Sequence, residues 1–150
     1  MTIRCATRDD TAAIVAMGAR FLASTPYGAL LSPAAALTPE QLVPFVDLVF
    51  QVGAVLVAEV DGVIVGMLGL SPAVHKVSGL AYGSELAWWV DPSARGAGTG
   101  KALLEAAESW TRSQGLALLE VSAPAGSEIG RFYERLGYVP VETTYTRQVG

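Results

Sequence analysis

The densest chemistry in this 150-residue chain lies in Val90-Asp91-Pro92-Ser93-Ala94-Arg95-Gly96-Ala97-Gly98-Thr99-Gly100-Lys101. A β-rich run feeds a glycine-dense turn, and the turn feeds an amphipathic helix. Such a turn presents consecutive backbone N–H groups at the positive end of a helix, which makes a site for an anion. Glycine lacks the Cβ that would hold a phosphate away from the backbone. The Arg95 guanidinium adds a charged fork suited to phosphate oxygens. The stretch is not a P-loop: Arg95 stands where the first glycine of G-x-x-x-x-G-K-[ST] belongs, and Ala102 stands where the magnesium-binding hydroxyl belongs. It is not a dinucleotide fingerprint either, because a G-x-G-x-x-G started at Gly96 or Gly98 meets Lys101 or Leu103 at its last position.

Other residues offer chemistry with less context. Glu85 lies in an apolar run and is either a base or a plain edge-strand charge. Trp88 and Trp89 are adjacent, so on a strand they point to opposite faces. Tyr133 lies in Arg131-Phe132-Tyr133-Glu134-Arg135-Leu136-Gly137-Tyr138, where an aromatic pair also suits ordinary packing before a glycine cap. His75 is the only histidine, and a lone loop histidine beside Lys76 reads as solvated. Cys5 is the only cysteine, which excludes an intrachain disulfide, and it reads as a small residue buried in a first strand. One histidine and one cysteine do not make a zinc site, so no metal is expected.

The elements that must position these residues follow from periodicity. Residues 3–6 read as a short strand, and Asp9 or Asp10 offers an N-cap to a helix over about 10–23. Residues 24–39 hold three prolines and read as a loop or a broken helical segment whose Tyr27, Leu30, Leu31 and Leu37 pack on something. Thr38-Pro39-Glu40-Gln41 opens a second helix that runs to about Gln51. Strands are predicted at 54–60, 63–70 and 80–90, the first two joined by an Asp61-Gly62 hairpin turn. A helix at 98–114, a strand at 116–121 and a helix at 127–136 follow, with Gly115 and Gly137 as caps. Ile129, Phe132, Tyr133 and Leu136 form one stripe of that last helix, and 139–141 and 143–149 read as a final strand pair. The order predicts an α/β fold: a mostly antiparallel sheet with one parallel pair and helices on its faces.

Length suits a single domain spanning 1–150. A net charge of −4 gives no basic footprint for nucleic acid. The charged N-terminus lacks the apolar run of a signal peptide, and no apolar stretch reaches the ~20 residues of a membrane span. The chain therefore reads as cytoplasmic, with no membrane partner.

The pattern Arg95-x-x-Gly98-x-Gly100 after a strand ending Val90-Asp91-Pro92 resembles motif A of the GNAT superfamily of acyl-CoA-dependent N-acyltransferases. Phe132-Tyr133-x-x-x-Gly137-Tyr138 is similar to that family's late helix, and the element order resembles the whole GNAT fold, least over residues 24–50. The resemblance implies acetyl-CoA as cosubstrate, held by Arg95, Gly96, Ala97, Gly98, Thr99, Gly100 and Lys101. It implies that strand 80–90 splays from its neighbour and that an N–H near Trp89 or Val90 polarises the thioester carbonyl. Tyr133 would be the general acid, with Glu85 the candidate base acting through water. The family often has Asn about seven residues before the tyrosine; here Gly126 stands there, and Ser127 is the nearest substitute. The acceptor implied is a primary amine, in a small molecule or a peptide, and homodimers are common among relatives. The competing class is a non-catalytic acyl-CoA-binding module on the same fold. A third reading, acetylation of aminoacyl-tRNA, needs a basic surface that the net charge of −4 does not offer.

Overall fold

Runs of valine, leucine and alanine pair into a sheet because both of its faces are covered. The computed structural model describes residues 1–30 and 38–149, so Leu31 and Leu37 lie outside the described residues. The strands are β1 (Thr2–Cys5), β2 (Ala54–Val60), β3 (Val63–Val74), β4 (Ala81–Val90) and β5 (Leu119–Glu120). They lie in chain order, antiparallel from β1 to β4, with β4 and β5 parallel. Asp61 and Gly62 both take positive φ, 50° and 78°, as the tight β2–β3 hairpin requires.

Five helices complete the described chain: α1 (Thr11–Ser24), α2 (Pro26–Leu30), α3 (Pro39–Val52), α4 (Thr99–Ser113) and α5 (Ile129–Arg135). Ile14 and Met17 of α1 and Val46 and Val49 of α3 pack with Val55, Val57 and Met67 on one sheet face. Leu103 and Ala107 of α4 pack with Leu56, Ala58, Leu68 and Leu70 on the other. The side chains of β2 therefore alternate between two cores, as a strand's period of two dictates.

The caps follow the sequence closely. The Thr38 N–H donates to Gln41 Oε1 at 2.8 Å, with Pro39 opening α3. Gly115 and Gly137 take φ of 71° and 89° just beyond α4 and α5. Asp10 accepts the Thr7 N–H at 2.8 Å and pairs with Arg4 at 2.8 Å. It thus closes a 3-10 turn at Arg8–Asp10 and supplies α1 itself with no side-chain cap.

Several expectations need correction. Residues 139–149 form no strand pair: Val139, Val141, Tyr145 and Val149 are exposed. Pro140 cannot donate to a ladder, and β5 has only two residues, too short an edge to template further pairing. Leu116 and Leu118 fall outside β5, and the Leu116 N–H instead closes back on Thr111 O. Cys5 is exposed, because β1 is an edge strand and only its Ile3 packs against the α4-side core. The proline-rich segment opens with the short α2, one of the two readings expected of it, but Tyr27 and Leu30 are exposed rather than packed. On α5 only Tyr133 is buried, while Ile129 and Leu136 are exposed, so the predicted stripe is narrower than its spacing suggested.

Candidate active site

Four short segments lie along β4 from Glu85 to its C-terminal end at Val90. The first is the turn into α4. A 3-10 turn at Pro92–Ala94 leads to Arg95, and Gly96 and Gly98 then take φ of 81° and 83°. A Cβ added at either glycine would meet nothing within 4 Å, so the concave side of the loop is open. The first intrahelical bond runs from the Ala102 N–H to Gly98 O at 3.0 Å, which leaves the N–H groups of Thr99, Gly100 and Lys101 without a helical acceptor. Thr99 is buried with its hydroxyl on Ala94 O at 3.1 Å, so its side chain ties the turn together while its amide points outward. Ala97 is exposed, and Lys101 is exposed in an i,i+4 pair with Glu105 at 3.5 Å. Gly100 has a different purpose from its neighbours: a Cβ there would sit 3.1 Å from the Trp88 ring.

The second segment is the free edge of β4. Pairing with β5 stops at Gly83↔Leu119 and Ser84↔Glu120, and from there to Val90 β4 stays paired with β3 while its other edge has no partner strand among the described residues. The Asp91 N–H bonds Val65 O at 2.8 Å, so on this ladder Trp89 turns its N–H toward β3. Trp88 and Val90, in the alternate positions, turn theirs toward the free edge. A bulge interrupts the ladder: Gly69 faces Ala87 and Leu70 faces Glu85, leaving Leu86 as the extra residue.

The third segment carries the titratable pair. Glu85 Oε2 accepts the Ser122 N–H at 3.1 Å, and the Tyr133 hydroxyl donates to Ser122 O at 3.1 Å. One residue beyond β5, Ser122, therefore links both side chains through its backbone N–H and C=O. The Glu85 carboxylate takes the ladder position that β4 backbone would fill if the strands stayed paired. Burial raises the Glu85 carboxyl from 4.5 to about 7, and the Ser122 N–H only partly offsets it. Burial, then the nearby Glu85 and Tyr138, hold the Tyr133 phenol well above its ordinary range. Trp88 stacks on Tyr133 with ring centroids 5.8 Å apart, and its buried indole N–H has no partner among the described residues.

The fourth segment is the arginine. Arg95 Nε donates to Val90 O at 2.9 Å, and its guanidinium lies 5.0 Å over the Trp89 ring. Trp89 in turn donates to Asp91 at 2.8 Å, and Arg20 reaches the same carboxylate at 3.0 Å. Trp88 and Trp89 thus stand on opposite faces, one against Tyr133 and one under two arginines.

The second half of β4 connects these groups: Glu85 and Tyr133 meet at Ser122 near the middle of the strand, Trp88 stacks on Tyr133, and Arg95 bonds Val90 at the C-terminal end. Ser127 is exposed and closes the turn Pro124–Ser127, where Gly126 takes φ 76°. His75 is at the exposed tip of the β3–β4 hairpin, bonded to Ser78 at 2.9 Å. Ser122 and the Leu86 bulge had no signal in the sequence, because both act through backbone groups.

These residues fit a diphosphate-bearing thioester. The orphan amides and open glycines suit the diphosphate, and the unpaired edge of β4 suits an amide-containing arm. A model of the family described as acetyltransferase (GNAT) domain matches residues 51–140. No curated protein sequence matches the chain. A Trypanosoma brucei acetyltransferase is 26% identical with a TM-score of 0.68, covering 99% of each chain. The ribosomal-protein-alanine N-acetyltransferase of Brucella melitensis biovar Abortus 2308 is 22% identical with a TM-score of 0.71, covering 99% of this chain and 100% of that one. The aminoglycoside N-acetyltransferase AAC(6')-Iy, solved in complex with CoA, is 18% identical with a TM-score of 0.78, covering 99% and 93%.

Proposed function

The chain belongs to the GNAT acetyltransferase family, and from that premise we propose that it transfers an acetyl group from acetyl-CoA to a primary amine by direct attack in a ternary complex. The observation that carries this reading is the convergence of Glu85 and Tyr133 on the Ser122 backbone where β4 and β5 part. The orphan amides of Thr99, Gly100 and Lys101, with Gly96, Ala97 and Gly98, hold the diphosphate. Arg95 leaves Val90 O to pair with a phosphate oxygen, which frees that carbonyl for the coenzyme arm. Ser127, at the exposed Pro124–Ser127 turn, is the further coenzyme contact in this reading, in place of the family's asparagine.

An amine brings a proton that must go, since a lysine-like ammonium has a pKa of about 10.4. Glu85, with its carboxyl near 7, accepts that proton directly or through one water at neutral pH. The amine nitrogen bonds the carbonyl carbon as the carbon–sulfur bond breaks. The N–H of Val90, or of Trp88 beside it, faces the carbonyl oxygen, and such a donor is worth roughly 2.7–4 kcal/mol. Tyr133 keeps its proton strongly, so it stabilises the departing thiolate chiefly by donating a hydrogen bond. Proximity supplies most of the remainder. We assign the reaction to the cytoplasm and to residues 1–150 acting as one unit.

Release of free thiol from acetyl-CoA across a panel of amines tests the proposal. At least one primary amine should support turnover, and coenzyme binding with no turnover across the panel would favour a binding module. Tyr133→Phe should lower kcat about 10²-fold with coenzyme affinity nearly intact; a fully active phenylalanine variant removes the phenol from the mechanism. Arg95→Ala should raise the KM for acetyl-CoA roughly 10-fold or more, the scale of one charge-assisted hydrogen bond. An unchanged KM would contradict the role given to Arg95.

A further inference from the structure

A cavity of about 390 Å³ lies between α1, α3 and the sheet, on the face opposite Tyr133. Met67 and Gly69 of β3 form its floor together with Leu86 and Ala87 of β4. The β4 bulge is what makes that floor: it turns two consecutive side chains, Leu86 and Ala87, to the same face. Among the described residues no Asp, Glu, Lys, Arg or His lines the cavity, and Gln41 is the only polar side chain there. An amine acceptor arrives as an ammonium ion, and burying that charge here without a partner would be costly. A hydrocarbon chain would meet walls that, among the described residues, are apolar apart from Gln41.

Leu86 and Ala87 sit between Glu85 and Trp88. The free edge of β4 and the cavity floor therefore belong to the same stretch of strand, and a thioester carbonyl on that edge would lie beside residues that line the cavity. We propose that this cavity takes the acyl chain of the donor, so that medium-chain acyl-CoA thioesters are substrates and acetyl is the shortest member of the class. The proposal rests on the reading that a CoA thioester binds along β4.

Titration calorimetry of CoA, acetyl-CoA, butyryl-CoA, hexanoyl-CoA and octanoyl-CoA tests it without knowledge of the acceptor. Affinity should rise about two- to fourfold per added methylene until the cavity is filled, consistent with about 0.8 kcal/mol for each buried CH₂. Val46→Phe puts a ring into the cavity from α3 and should cut the octanoyl-to-acetyl affinity ratio at least roughly 10-fold. A flat or falling series with the wild-type protein, while CoA itself binds, overturns the acyl pocket and leaves the coenzyme assignment standing. A chain-length gain that persists in folded Val46→Phe overturns it too, since the chain then binds elsewhere. Failure of every member, CoA included, overturns both readings. Should Val46→Phe not fold, the wild-type series decides alone.

Discussion

Glu85→Gln should lower kcat/KM by about 10²–10⁴-fold while leaving coenzyme binding in place. Glutamine keeps the acceptor oxygen for the Ser122 N–H but takes no proton from an amine. In the wild type, kcat/KM should rise through an apparent pKa near 7, as the buried carboxyl loses its proton. The same group has the opposite effect on stability. Its folded pKa, about 7, lies above the ordinary value of 4.5. Across that window the folded state holds a proton that the unfolded state has released, so stability falls as pH rises from 4.5 through 7. The loss is on the order of 3 kcal/mol. Urea melts at pH 5 and pH 8 should therefore differ by about that amount in the wild type and by much less in Glu85→Gln. An active glutamine variant, or equal pH dependence in both proteins, would remove Glu85 from the role of base.

Gly53→Ala should be the most disruptive glycine-to-alanine change among the described residues. Gly53 joins α3 to β2, and an added Cβ would fall 1.9 Å from Leu70 O and 2.9 Å from Leu70 C. Those are backbone atoms of β3, so no side-chain rotation relieves the overlap. Either the α3–β2 junction or the β2–β3 pairing must shift. A loss of about 4 kcal/mol or more is expected, or roughly 10 °C in Tm for a chain of this size. Gly62→Ala is the control: its Cβ would meet nothing within 4 Å and only its positive φ resists, so it should cost ~1–2 kcal/mol. Thermal melts of the two variants separate a backbone collision from a conformational preference, and equal losses would show that no collision exists.

Where a local rule acts alone, the sequence was legible. The Thr38 cap of α3, the Asp61-Gly62 hairpin and the glycines that end α4 and α5 depend on neighbours a few residues away, and they stand where they were expected. So does the run from β4 into α4, with its open glycines and orphan amides. The failures share another cause. Residues 139–149 have an alternating pattern that suits a strand, yet a strand needs a partner edge, and β5 offers two residues. Cys5 has a buried residue's composition but an edge strand's position. Glu85 could not be told from a surface charge until the fold buried it beside Ser122 and Tyr133.

The residues of the α4 cradle, the tyrosine helix and the order of elements were determined by the sequence, because φ preferences, caps and hydrophobic periods are properties of short segments. Tertiary structure alone decided that the backbone of Ser122 would join Glu85 to Tyr133, that Gly100 would make room for Trp88, and that a bulge would open β4 beside an apolar cavity. Each of these depends on which backbones meet across the sheet, and contacts between segments distant in the chain leave no periodic mark in either one.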